Sequence, residues 1–241
     1  MKNKLLIRNL IPKKSLPAVK KLFYGIRGVL YKGDKVICPC CGGHFKKFLS
    51  FGKGEELRKN AICPKCNSLE RHRLIWIFLK NKTNLFSDNL KVLHFAPEYV
   101  FQTKMKSMPN LDYLSADIEH PSAMIKVDIT NIPFKDNIFD VILCNYVLQE
   151  VPNDKKAMKE LYRVLKKQGW AILQSFINHN QIKTDETFKT GNAIRRYGND
   201  YKDKLENAGF KVRVFNYSEK LEQTMKKYGL PKQEKIYFCT K

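Results

Sequence analysis

From Leu90 onward the chain alternates short apolar runs with amphipathic stretches. Residues 91–95, 113–116, 124–127, 139–144 and 170–176 read as strands, the clearest being Phe139-Asp140-Val141-Ile142-Leu143-Cys144. Residues 154–165 read as a helix with Met158, Leu161, Tyr162 and Leu165 on one face. Lys166-Lys167-Gln168-Gly169 is predicted to end it with a basic last turn and a glycine. A second helix is predicted over 201–208, closed by Gly209, with strands over 210–214 and 235–239. Strands alternating with helices predict an α/β fold: a mostly parallel sheet wrapped by helices.

The first third has another texture. Ser15-Leu16-Pro17 can open a helix with Ser15 as its cap. Ala18, Val19, Leu22, Phe23, Ile26, Val29 and Leu30 then recur near helical spacing, with Lys20, Lys21 and Arg27 between them. Such a helix can dock on the following domain or lie on a membrane surface. Two cysteine pairs follow, and Ser68 is expected to cap a helix through Leu79. The predicted organisation is a basic amphipathic lead over 1–34, a metal module and helix over 35–82, and one larger domain over 83–241.

Composition narrows the function classes. An apolar share of 43% in 241 residues is that of a globular chain able to bury a core. No apolar run is long enough to span a bilayer. The charged start Met1-Lys2-Asn3-Lys4-Leu5 does not read as a signal peptide, so a cytoplasmic protein with reduced thiols is expected, peripheral membrane association being open to it. The net charge of +22 is uneven. Residues 1–82 hold 20 Lys and Arg against Asp34, Glu55, Glu56 and Glu70. That field favours an anionic partner: RNA, a membrane surface or an acidic glycan.

Cys38-Pro39-Cys40-Cys41-Gly42 and Cys63-Pro64-Lys65-Cys66-Asn67 are two CxxC knuckles. Each presents two thiolates at one corner of a tetrahedron, so Cys38, Cys41, Cys63 and Cys66 are the expected ligands of a closed, structural Zn²⁺. Cys40 and His44 are competing ligands by position. Cys144 and Cys239 read as core.

Val127-Asp128-Ile129-Thr130-Asn131-Ile132-Pro133-Phe134-Lys135-Asp136 through Phe139-Asp140-Val141 resembles the D-x-x-x-L-P-F-x-D…F-D-V-V run of the Rossmann-like S-adenosylmethionine-dependent methyltransferases of the type 11 kind. Leu165 to Gly169 resembles their L-K-P-G-G turn, and Ala208-Gly209-Phe210 their A-G-F turn. Together with Cys63 to Leu74 and the His94-Phe95-Ala96-Pro97-Glu98 loop, the chain is similar to a bacterial subset with an N-terminal zinc-binding module. The resemblance implies a seven-stranded sheet with an antiparallel C-terminal strand, behind a small zinc-ribbon-like module. Two departures stand out: the first loop has no glycine, and Gln149-Glu150 stands where the family often has Glu-His.

The resemblance implies S-adenosylmethionine as cofactor, held by Phe95, Ala96, Glu98, Asp117, Ile118, Asp128, Ile129 and Asn145. Asp117 would accept the ribose hydroxyls, Asp128 and Ile129 the adenine, and Glu98 the ammonium group. His94 reads as a hydrogen-bonded core residue or a ligand contact. Glu150, Tyr146 and His179, with His120, are candidate bases by position alone. Arg195 and Arg196 can clamp an anionic acceptor or form a solvated face. Three functions fit. The favoured one is methyl transfer to a small molecule or glycan. The others are methyl transfer to RNA gripped by the basic module, and a non-catalytic scaffold on the same fold.

Overall fold

The computed structural model describes residues 16–54 and 57–241. Ser15, the expected helix cap, lies outside the described residues, as do Glu55 and Glu56. In chain order the elements are α1 (Leu16–Leu30), β1 (Lys32–Ile37), β2 (His44–Phe45), β3 (Leu49–Phe51), β4 (Arg58–Ile62), α2 (Glu70–Lys82), β5 (Leu90–Phe95), α3 (Tyr99–Met105), β6 (Leu111–Asp117), β7 (Ile125–Lys126), β8 (Phe139–Asn145), α4 (Asp154–Val164), β9 (Leu165–Gln174), α5 (Tyr201–Asn207), β10 (Lys211–Phe215), α6 (Glu222–Tyr228) and β11 (Ile236–Thr240). None of the described helices is long and apolar enough to cross a membrane.

The chain forms two compact units. The second, Leu79–Tyr217 with Gln233–Lys241, holds a seven-stranded sheet in the order β10-β11-β9-β8-β5-β6-β7. Six strands run in one direction, and β11 is antiparallel to both of its neighbours. This is the expected Rossmann-like α/β fold. Strands β5 and β8 bury nearly every residue, as strands covered on both faces must. The order reverses between β5 and β8, so a crevice opens there beyond the strands' carboxyl ends.

The 166–169 turn differs from expectation. Pairing of β8 with β9 jumps from Phe139↔Leu165 to Val141↔Trp170, so Lys166 to Gly169 bulge out of strand β9. The left-handed residue is Gln168, at φ 66°, and not Gly169. Gly169 is needed for space: a Cβ there would sit 2.9 Å from the carbonyl oxygens of Asp140 and Lys166.

The first unit joins the residues up to Phe78 to Ser218–Lys232, which lie between β10 and β11 and were expected in the second domain. Arg73 explains the exchange. Its buried guanidinium donates to the carbonyls of Ala61, Ser68, Asn60, Tyr228 and Gly229, and its ring-facing side lies 4.0 Å from the Phe48 centroid. A buried cation is tolerable only with such saturation by acceptors. Ser68 does not cap α2 as expected: its hydroxyl lies 3.3 Å from the sulfurs of both Cys38 and Cys66. Helix α1 is fastened by Arg27, which donates to the carbonyls of Pro64 and Cys63 and to Asn67.

Candidate functional site

A crevice of about 820 Å³ lies in the second unit, past the carboxyl ends of β5, β6 and β8. Phe95, Ala96, Asp117, Ile118, Asp128 and Ile129 line it, six of the eight residues expected there. The acids stand at strand ends because each ends an apolar run and then turns the chain. Asp117 Oδ1 accepts the backbone N–H groups of Glu119 and His120 at 2.8 Å, and Asp128 Oδ1 accepts that of Thr130 at 2.8 Å. In each, Oδ1 shapes the loop, and no described partner is bound at Oδ2.

Glu98 and Asn145 lie outside the lining and form a buried layer beside it. Asn145 Nδ2 donates to Glu98 Oε1 at 3.1 Å, and His94 Nε2 is 2.7 Å from Glu98 Oε2. His94 Nδ1 meets the Tyr113 hydroxyl at 2.8 Å. His94 is thus a satisfied core histidine. Burial, with Glu98 nearby, pushes the Tyr113 hydroxyl far above the ordinary tyrosine range. Glu98 precedes α3 but makes no side-chain cap there, because its carboxylate is turned inward. Asn145 Oδ1 is buried and has no hydrogen-bond partner.

The glycine-free loop turns by placing Ala96 in the left-handed region, at φ 46°. Tyr146, across the crevice, also has positive φ, at 60°. Non-glycine residues held there store backbone strain, a habit of ligand sites. Tyr146 is pinned by its N–H on the Gln174 carbonyl and by its hydroxyl, which donates to Glu234.

Of the candidate bases, Tyr146, Glu150 and His120 line the crevice and His179 does not. His179 faces Asn199, and burial and Lys235 lower its proton affinity. Partial desolvation, with Asp117 nearby, raises Glu150 above the usual carboxylate range, while a hydrogen bond with Asn192 opposes the rise. Asn192 and the Val151-Pro152-Asn153 segment also line the crevice and carried no signal in the sequence. Arg195 corrects the clamp expectation. It is buried, paired with Glu186 at 2.8 Å, and donates to the carbonyls of Leu148, Val151 and Pro152, so it holds the crevice wall. Arg196 lies over the Phe188 ring. Gln149, in the family's variant position, accepts from Ser175 and is fully buried.

In the first unit the sulfurs of Cys38, Cys41, Cys63 and Cys66 lie within 4.8 Å of one another, with Cys38–Cys66 at 3.6 Å and Cys41–Cys63 at 3.7 Å. Zn–S bonds of about 2.3 Å place tetrahedral sulfurs roughly 3.8 Å apart, so the four fit a zinc ion. Cys40 points away, to the His72 carbonyl, and His44 pairs with Asp34.

Residues 95–173, from the end of β5 to near the end of β9, match the family described as "Methyltransferase domain". That stretch is therefore similar to a methyltransferase domain. Over 83 residues the chain is 35% identical to sterol 4-C-methyltransferase strm-1 of Caenorhabditis elegans, covering 34% of this chain and 25% of that protein. Over 67 residues it is 34% identical to the ubiquinone/menaquinone biosynthesis C-methyltransferase UbiE of Haemophilus ducreyi, covering 28% and 22%. The chain thus spans about a quarter of the length of these relatives. In structure, a SAM-dependent methyltransferase from Archaeoglobus fulgidus superposes with a TM-score of 0.50 at 12% identity, over 73% of this chain and 96% of that one, and shares the fold. The residues fit that cofactor: the orphaned Asn145 oxygen beside the Glu98 carboxylate is a buried acceptor pair suited to an ammonium group.

Proposed function

We propose that the chain is an S-adenosylmethionine-dependent methyltransferase acting on a small, largely apolar acceptor, with a structural zinc ion in its first unit. The observation that carries the reading is the placement of Asp117 and Asp128 on one crevice at the switch point, above the Glu98–Asn145 acceptor pair. Bound there, the cofactor supplies a methyl group already activated on a sulfonium. Asp117 would accept the ribose hydroxyls, Asp128 and Ile129 would hold the adenine, and Glu98 with Asn145 would hold the ammonium group. The chain's remaining task is to align the acceptor and exclude water. Tyr146, Val147, Val151 and Pro152 give the crevice an apolar wall for that purpose. Glu150, with its raised proton affinity, is the base where the acceptor must lose a proton, and Tyr146 orients through Glu234.

The acceptor class rests on that wall and on the relatives named for sterol and quinone C-methylation. The zinc reading rests on the four-sulfur geometry, and its role is to fold the first unit. Methyl-labelled cofactor incubated with the zinc-loaded protein and a fractionated bacterial extract is the test. Label in the solvent-extractable small-molecule fraction is expected. Label in RNA would overturn the acceptor class, and failure to bind cofactor would leave only a scaffold.

A further inference from the structure

A second concavity, of about 750 Å³, lies wholly within the first unit. Lys35, Lys46, Lys47, Lys59 and Lys226 line it, all exposed, and Glu70 is in its wall. None of the five lysines has an ion-pair partner among the described residues. Five like charges around one hollow repel each other unless an anion with several oxygens sits among them. Glu70 refines the chemistry. Its Oε1 is 3.8 Å from Arg58 Nε, and its Oε2 is buried without a hydrogen-bond partner. A phosphate group carrying hydroxyl or ammonium donors nearby satisfies both features.

Helix α1, in the same unit, says which source of phosphate fits. Leu22, Phe23, Ile26, Val29 and Leu30 are 55–73% exposed. At 100° per residue they fall within about 120° of the helix surface. Gly28 is on the other side, where an added Cβ would lie 3.1 Å from Lys65. The apolar stripe is therefore the face that the first unit leaves uncovered. An RNA ligand uses the lysines and has no use for this stripe. A bilayer with anionic headgroups uses both, taking the apolar side chains into its interface and its phosphates onto the lysines.

We propose that the first unit docks on an anionic bilayer, with α1 lying in the interface and the five-lysine hollow taking a lipid phosphate. This goes beyond the methyl-transfer reading and does not rest on it. The test is flotation of the full-length, zinc-loaded protein with vesicles of phosphatidylcholine alone or with phosphatidylglycerol added. Binding to the anionic vesicles is expected, weak on neutral ones and falling as salt rises. K46E/K47E removes two exposed contacts and is expected to weaken partitioning on the order of 30-fold. L22E/I26E is expected to weaken it as much, with zinc content and near-UV circular dichroism reporting the fold of both variants. Equal vesicle binding by wild type and variants would overturn the proposal. So would saturable binding of inorganic phosphate without any vesicle binding, which marks a site for free phosphate. RNA binding without vesicle binding, or a dimer that L22E/I26E dissolves without any vesicle binding, would also overturn it.

Discussion

His94 Nε2 lies 2.7 Å from Glu98 Oε2, and this contact ties the end of β5 to the loop that follows it. The loop has no glycine and turns through Ala96, which is held at positive φ. Glu98 is held inward by His94 and Asn145, and on the proposed reading it serves as an acceptor for the cofactor's ammonium group. Glu98→Gln keeps most of that geometry and removes the charge. It is expected to weaken S-adenosylhomocysteine binding tenfold or more, on the order of one charge-assisted hydrogen bond. Glu98→Ala is expected to cost a further 1–3 kcal/mol of stability, roughly, by leaving buried polar groups without partners. Urea unfolding and a binding titration of both variants separate the two effects.

Ala96 carries the loop's strain at φ 46°. Ala96→Gly relieves it but loosens the unfolded chain, leaving a net gain expected at roughly 0.5–1 kcal/mol. Ala96→Val is expected to destabilise, because a β-branched residue is poorly tolerated there. Thermal melts of the pair give the sign; a glycine variant less stable than wild type would show that Ala96 is not strained.

The zinc reading divides the cysteines sharply. Cys41→Ser or Cys63→Ser is expected to lose the metal, while Cys40→Ala is expected to keep it, because Cys40 is turned to the His72 carbonyl. Metal content by plasma emission after gel filtration decides this. One zinc per chain in wild type and in the Cys40 variant is the expected pattern.

Arg163 staples the loop between Asp128 and β8. It donates to the carbonyls of Ile132 and Phe134, and its pairing with Glu160 holds that carboxyl below the usual range. A carboxyl with a lowered folded pKa adds stability above its unfolded value and loses it as pH falls through the folded one. Wild type is therefore expected to lose stability in acid over that window. Arg163→Met is expected to be less stable at neutral pH and to show a shallower acid loss, readable from denaturant midpoints across pH.

The fold was legible because strand burial leaves a continuous apolar signature, as in Phe139 to Cys144. The strand-end positions of Asp117 and Asp128 were legible because each closes an apolar run, although a carboxylate there also serves simply to turn the loop. The 166–169 bulge was not, since a basic turn ending in glycine looks alike whether the glycine supplies positive φ or only space. Nor was the exchange of Ser218–Lys232 into the first unit, which depends on where one buried arginine, Arg73, finds acceptors. Asn192 escaped because its place on the crevice is set by a long loop without periodicity. Arg195 was misread because an arginine that binds backbone carbonyls leaves no pattern in the sequence.

The central claim is that this crevice binds S-adenosylmethionine through the strand-end acids. Calorimetric titration of the zinc-loaded protein with S-adenosylmethionine and S-adenosylhomocysteine, beside Asp117→Ala, tests it most directly. Saturable one-to-one binding of both, lost in the variant while the fold is kept, is the predicted result. No binding of either compound to wild type, or binding untouched by Asp117→Ala, would contradict the account.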